Sequence, residues 1–430
     1  MQRPRQGTLN RLKAGRFIAT LLTMTLLNLG LANPIIIGVV IPDTETFGDD
    51  PLLMAIAQAA EQGALMAEEE HAFNAELFGL DFSVLIERAS GAEGVVAAAE
   101  RLAEAGALAV AGGFNSLEAN ALTSWSVERS TAFLNIGASD NRLRNEGCAA
   151  TSFHIEPSSG MYLDALAGWY VRSGFRNWFV LVGSDSEATD QFERLEWSLR
   201  ERHFGARIVG RAGFNSGDRI DPIVNTLRRA NSDLVVLLLS AADQLEVLAQ
   251  LEEAGVRTLI AGFPYPEAQT RAFMLASRTA APQLGSDHRI LAWEPTLDAY
   301  GAREFNARFL AMFGVPMEPT AWATYQAVKV VFEAATLGGS ATPADVIAYM
   351  AGPRGVFDVW KGIGVSFRPW DQQLRQSLYL SKISPSSDDL FRLALLVGEL
   401  PAIYMPGTDP VERLDQLGDP KNRSTCTLNP

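Results

Sequence analysis

Short apolar runs alternate with amphipathic stretches along most of the chain, and this alternation predicts an α/β fold. The run Ile35-Ile-Ile-Gly-Val-Val-Ile41, ending at Pro42, is apolar on both faces and predicts a fully buried strand. A helix is expected over 52–70, a strand over 80–86, and then a helix carrying Val95, Val96, Ala99 and Leu102. Strands over 107–111 and 132–136 flank another helix, for which Asn115 is the expected N-cap with Glu118 completing a capping box. After a polar, Gly-bearing stretch over 140–152 the pattern restarts. Strands are expected over 178–182, 206–210, 233–239 and 257–261, with helices between them, one presenting Leu245, Leu248 and Leu251 on a single face.

Beyond Pro282 the spacing changes. A strand over 290–293 precedes helices over 299–313, 320–335 and 343–350, then strands over 364–367 and 377–383. Residues past Leu400 are rich in Pro, Asp and Gly and read as an irregular tail. A chain of 430 residues is too long for one ordinary core. The two successive βα runs therefore predict two parallel sheets, each covered by helices on both faces.

Ahead of the first strand, Arg3, Arg5, Arg11, Lys13 and Arg16 form a positive segment without an acidic residue, and 17–31 supplies an apolar core. Gly30-Leu31-Ala32 offers small residues where a signal peptidase reads, so cleavage near Ala32 and export to the periplasm are expected. Thr20, Thr23, Thr25 and Asn28 interrupt the core, which disfavours a membrane span; an uncleaved anchor is the alternative. No cysteine stands at the cleavage point, which argues against a lipid anchor. Losing the five positive residues would take the formal charge from −14 to −19, a balance that excludes nucleic acid as a partner. In an oxidising compartment Cys148 and Cys426 favour a disulfide over a reactive thiol. Two cysteines and four scattered histidines make a structural zinc site improbable.

No phosphate loop, dinucleotide fingerprint, serine elbow or zinc-protease helix occurs, and no cofactor or metal is expected. His71 ends an acidic run, His203 lies in the last turn of a helix, and His154 and His288 adjoin strand ends, all positions that suit structural roles. What remains is a set of strand-to-helix loops: 43–48, 112–116 and 137–141 in the first half, 183–189, 240–243 and 263–266 in the second. Ligands bind beyond the carboxyl ends of parallel strands, so six such loops point to a cleft.

The opening 35–42 followed by Phe47-Gly48, Val110-Ala-Gly-Gly113, Phe133-Leu-Asn-Ile-Gly-Ala-Ser139 and Asp233-Leu-Val-Val-Leu237 resemble the type I periplasmic binding proteins of the leucine/isoleucine/valine-binding kind. The resemblance covers about 34–400 in order. The segment Val365-Ser-Phe-Arg-Pro-Trp-Asp-Gln-Gln-Leu-Arg-Gln376, with Cys148 and Cys426, is similar to a narrower group encoded with pyrroloquinoline-quinone-dependent alcohol dehydrogenase systems. The family implies two doubly wound parallel-sheet lobes joined by a three-strand hinge. It divides the chain into a signal peptide (1–32), lobe one (33–150 with 286–364), lobe two (151–285 with 365–400) and a tail (401–430).

The same resemblance implies a monomeric solute-binding protein, not an enzyme, that passes a small molecule to ABC transporter membrane subunits. Ser116 and Ser139, with the backbone of Gly137 and Ala138, match the family's carboxylate site and would anchor an anionic or polar head, and Asn115 is a further candidate ligand-binding residue. Thr189 and Ser240 stand where the family commonly has tyrosines. The acidic partner of a ligand ammonium is expected to be missing near Pro264-Tyr265 unless Asp185 or Asp243 replaces it, which disfavours a leucine-type ligand. Loop position further assigns Phe47 and Tyr265 to the apolar part of the ligand and Asp185 to setting polarity. The alternative is a ligand-free, partner-binding accessory protein, with a quinoprotein dehydrogenase as candidate partner. An exported enzyme would show a titratable cluster of shifted pKa in the cleft.

Overall fold

The computed structural model describes residues 34–47, 50–339, 341–402 and 407–428. The leader and its cleavage point near Ala32 lie outside the described residues, as does the side chain of Phe47.

The first half runs β1 (Ile35–Ile41), α1 (Thr44–Phe47), α2 (Pro51–Leu77), β2 (Phe82–Arg88), α3 (Ala92–Glu104), β3 (Ala109–Gly112), α4 (Ser116–Arg129), β4 (Ala132–Asn135) and β5 (Ser152–His154). Its strands form one parallel sheet in the order β2-β1-β3-β4-β5. β1 sits inside that sheet, and its apolar run is buried except at Ile36, as a strand covered on both faces requires. Ile37, Val39 and Ile41 join one core, while Val40, Val110 and Phe133 join Leu102 and Leu122 in a second core on the opposite face.

The second half repeats the plan with α5 (Ser159–Arg172), β6 (Asn177–Val182), α6 (Ser186–Glu201), β7 (Arg207–Gly213), α7 (Asp221–Ala230), β8 (Leu234–Leu238), α8 (Ala241–Glu253), β9 (Leu259–Gly262) and α9 (Arg271–Ala280). Its parallel sheet has the order β7-β6-β8-β9, again with a core on each face. The chain closes with β10 (His288–Leu291), α10 (Ala302–Phe313), α11 (Pro319–Leu337), α12 (Pro343–Ala351), β11 (Leu378–Ile383), β12 (Ala394–Leu400) and α13 (Pro410–Leu414). β10, β11 and β12 make a small antiparallel sheet. It serves both lobes: Ile290, Leu378 and Leu380 join a core of the second, and Tyr379 joins a core of the first.

α11 returns to the first lobe and packs along α2. The approach is so close that a Cβ on Gly63 would lie 2.2 Å from the Ala321 carbonyl oxygen. Alanine is the better helix former, but here it would force two helix backbones apart, and overpacking costs about 1–3 kcal/mol. Gly63→Ala is therefore expected to lower the thermal midpoint; a raised midpoint would show that the helices separate freely.

The lobes are joined after β5, after β10 and over 373–377, and buried side chains tie these crossings together. Gln373 Nε2 donates to the carbonyls of His154 (3.1 Å) and Glu156 (3.0 Å), while its Oε1 accepts from Arg144 Nε (3.0 Å). Gln376 Nε2 donates to the Ile155 carbonyl, and Lys361 Nζ donates to Gln376 Oε1 and to the Ala292 carbonyl.

The structure departs from expectation at four places. The strand over 364–367 is absent. Only single bridges, Val356 with Ser366 and Phe367 with Leu374, form there. The buried Arg368–Asp371 ion pair and Gln372 at φ +50° turn the chain back on itself. β5 lies where no strand was expected, three residues in a polar stretch whose Ser152 hydroxyl is satisfied by Thr123 at 3.2 Å. β12 was also unforeseen; it is covered on one face only and leaves Leu395 and Val397 exposed. The helix expected over 52–70 continues to Leu77, since no breaker intervenes before Gly79 at φ +69°.

Candidate functional site

The strand-to-helix loops of both lobes converge on a cavity of about 380 Å³. From the first lobe come Asp50 and Leu52 at the start of α2, Phe114 to Ser116 after β3, and Gly137 to Ser139 after β4. From the second come Asp185 and Glu187 at the start of α6, Ser240 to Ala242 at α8, and Tyr265 and Glu267 after β9. All these segments stand past the carboxyl ends of parallel strands.

Several lining residues are fixed because they also begin helices. Asp50 Oδ1 accepts from the Leu52 N–H at 2.8 Å, Asn115 Oδ1 from Glu118 at 3.0 Å, and Asp185 Oδ1 from Ala188 at 2.7 Å. Ser240 Oγ accepts from the Asp243 N–H and donates to the Asp243 carboxylate. Glu118 does not complete the expected capping box. Its carboxylate instead accepts from the Gly91 and Phe114 N–H groups, tying two loops together. Gly137 is required by close approach, because a Cβ there would meet the Phe114 Cα at 2.9 Å.

The backbone role expected of Gly137 and Ala138 needs correction. Both N–H groups donate to Asn135 Oδ1, at 3.2 and 2.9 Å, so they are not offered to a ligand. Ser139 differs. It is buried, lines the cavity, and its Oγ has no hydrogen-bond partner among the described residues. Ser116 Oγ reaches across the cleft and donates to Glu187 Oε2 at 2.7 Å. Beside it, Arg142 Nη1 donates to Ser186 Oγ at 3.0 Å, a second contact between the lobes.

The lining is acidic. Asp50, Asp185, Glu187 and Glu267 contribute carboxyl groups, and no Lys, Arg or His is among the described lining residues. Burial pushes the Glu187 carboxyl up to about 7; Asp140 and Asp185 push the same way, against the Ser116 hydrogen bond and Arg142. Burial likewise raises Glu267, aided by Asp50 and Glu118. The Tyr265 phenol is held well above its ordinary range by burial and Glu187, and its oxygen accepts from Gln191 Nε2 at 2.9 Å. Among the described residues no group of three or more His, Cys, Asp and Glu is placed to hold a metal ion.

Of the residues singled out from sequence, Asn115, Ser116, Gly137, Ala138, Ser139, Asp185, Ser240 and Tyr265 come together on this cavity. Thr189 lies one turn inside α6, and its hydroxyl donates to the Asp185 carbonyl instead. Phe47 ends α1, with its side chain outside the described residues. Sequence reasoning missed Asp50, Leu52, Phe114, Glu187 and Glu267. Asp50-Pro51, a cap residue before a proline, carried a helix-start signal. Glu187 fell within the loop 183–189, and Glu267 one residue beyond the loop 263–266. Asp185, the residue expected to stand in for the acidic partner of a ligand cation, lines the cavity, and Glu187 and Glu267 add carboxyl groups that the sequence reading did not name. Cys148 and Cys426 form a disulfide.

Residues 34–389 match the model of a family described as periplasmic binding protein, and the chain belongs to that family of solute-binding proteins. No curated protein matches the chain in sequence. Among solved structures it is similar to a branched-chain amino acid ABC transporter ligand-binding protein from Burkholderia xenovorans LB400. That likeness has 16% identity, a TM-score of 0.76, and covers 92% of this chain and 99% of the other. It is also similar to the closed leucine-, isoleucine-, valine-, threonine- and alanine-binding protein of Brucella ovis (16% identity, TM-score 0.76, 93% and 100% covered). A third is an R. palustris solute-binding protein in complex with benzoate (15% identity, TM-score 0.66, 85% and 96% covered). At these identities the likeness establishes the type I periplasmic binding protein fold.

Proposed function

We propose that the chain is exported, cleaved near Ala32, and binds a small organic ligand between its lobes for delivery to the membrane subunits of an ABC transporter. Closure would be a rigid-body movement about the hinge, with no bond made or broken. The observation that carries this reading is Ser139, a residue of the cavity lining whose buried hydroxyl has no partner among the described residues. Such an atom costs free energy unless something in the cavity bonds it. Raised carboxyls would also suit an enzyme, but no histidine or cysteine stands beside them in the described lining. Amino acids and benzoate, bound by the similar proteins, fall in the size class that the cavity suggests.

The likeness of 365–376 to the quinoprotein-associated group supports a role beside alcohol oxidation. That segment lies at the hinge, so it speaks for the system served and not for the ligand. A second reading, a monomer that works through a protein partner with its cleft latched, is favoured by the contacts Ser116–Glu187 and Arg142–Ser186.

Native mass spectrometry of the protein purified from the periplasm separates these readings. A small-molecule mass lost on unfolding is expected; a retained protein partner instead would favour the second. Ser139→Ala is expected to weaken binding of that molecule about tenfold, as one hydrogen bond allows, with the thermal midpoint of the free protein held. Undiminished affinity would remove Ser139 from the site.

A further inference from the structure

Resting on the reading of the cleft as the ligand site, we propose that Glu187 itself fills the anion position of the first lobe, so that the cleft accepts a small organic amine and refuses carboxylates. Glu187 comes from the second lobe, yet its carboxyl lies against the first turn of α4, bonded at 2.7 Å by the Ser116 hydroxyl. A helix N-terminus with a serine in its first turn is where a ligand anion would otherwise settle. On the first lobe the neighbouring donors are already engaged. The Gly137 and Ala138 N–H groups are held by Asn135 Oδ1. Arg142, the cation on this rim, is engaged by Asp140 at 2.7 Å and by Ser186 at 3.0 Å.

The remaining chemistry calls for positive charge. Glu267 faces the cavity with no ion pair to a cation among the described residues, and Asp50 and Asp185 add two further carboxyls. A carboxylate ligand would meet four carboxyl groups and no Lys, Arg or His in the described lining, an uncompensated arrangement that disfavours it. A neutral polyol would leave the carboxyls without a counter-charge. An ammonium group pairs with Glu187 and Glu267, while Ser139, a residue only 3% exposed whose Oγ is unpartnered among the described residues, accepts a further hydrogen bond. Leu52 and the Tyr265 ring supply an apolar wall for a short alkyl chain.

The test is calorimetric titration of the unaltered protein, Glu187→Ala and Glu267→Gln with n-butylamine, butyrate and leucine. The unaltered protein is expected to bind butylamine in preference to butyrate and leucine. Glu267→Gln should weaken butylamine about tenfold without admitting butyrate. Glu187→Ala should weaken butylamine about tenfold and gain butyrate by a similar factor, because the vacated Ser116 hydroxyl and α4 N-terminus then receive an external carboxylate. Thermal unfolding of each variant confirms that it is folded. Tighter binding of butyrate or leucine than of butylamine by the unaltered protein would overturn the inference and leave solute binding intact. So would a carboxylic acid identified as the mass released on unfolding. Failure of all three probes together with no released mass would remove both.

Discussion

Asp164→Ala is expected to destabilise the protein by about 3–5 kcal/mol, the cost of breaking a buried ion pair from one side. Asp164 lies on α5 with a fully covered side chain. Its carboxylate accepts from Arg194 Nη1 (3.1 Å) and Nη2 (2.7 Å), Arg202 Nη1 (2.6 Å), Ser198 Oγ (2.6 Å) and the Gly418 N–H (3.0 Å). Truncation leaves two guanidinium groups without their shared anion, one of them almost wholly covered. Asp419 remains on Arg194, so that cation keeps one partner, which places the expectation within the range and not beyond it. Burial raises the Asp164 carboxyl, but Arg194, Arg202 and the Ser198 hydrogen bond outweigh it and leave the pKa below 3.8. With the folded value depressed, the stabilisation is complete above the unfolded value and is lost as pH falls through the folded one. The difference in urea midpoint between Asp164→Ala and the unaltered protein should therefore be constant near neutrality and shrink under acid. A constant difference into strong acid would mean that packing, not charge, is what Asp164 supplies.

Apolar periodicity made the two sheets legible, because β1 and β8 are buried strands of nearly uninterrupted Ile, Val and Leu, and β6 is apolar after its first residue. β5 was not legible. Three residues hold no period, and its pairing with β4 depends on tertiary contacts such as Thr123 with Ser152. In the site, loop residues could be ranked by place in the chain but not by direction. Glu187 and Thr189 belong to the same turn of α6, yet one faces the first lobe and the other folds back onto the Asp185 carbonyl. Asn135 shows the limit most clearly. It reads as the polar end of a strand, and only its side-chain geometry reveals that it takes the N–H groups expected to serve a ligand. The tail past 400 read as irregular, and it is nearly so; its importance comes from partners as distant in sequence as Asp164 and Arg194.

Replacing both Cys148 and Cys426 by serine is expected to cost about 4–5 kcal/mol, near the top of the range for a single disulfide. The bridge joins residues 278 apart in a chain of 430, so it removes loop freedom from well over half of the unfolded chain. Its second effect falls on the native state. The tail is fastened to the second lobe by Asp419 on Arg194 (2.7 Å) and by the Gln416 carbonyl on Arg202 (2.7 Å). It is fastened to the hinge by Asp415 on Arg375 (2.7 Å) and by Trp370 Nε1, which donates to the Asp419 carbonyl at 3.3 Å. Beyond these points it crosses to the first lobe, where the bridge to Cys148 and the weaker contacts of Asn141 and Asn145 hold it. Cutting the bridge leaves that last attachment, among the described residues, to three exposed or half-buried hydrogen bonds, while the Asp419 link to Arg194 in the second lobe stays buried. The double variant should therefore show faster amide exchange over 420–428 under native conditions, well before global unfolding, along with the lower urea midpoint. Unaltered exchange in that segment with a lowered midpoint would place the whole effect in the unfolded chain. An unaltered midpoint would mean that the salt links to Arg194 and Arg375 already hold the tail as firmly as the covalent bond does.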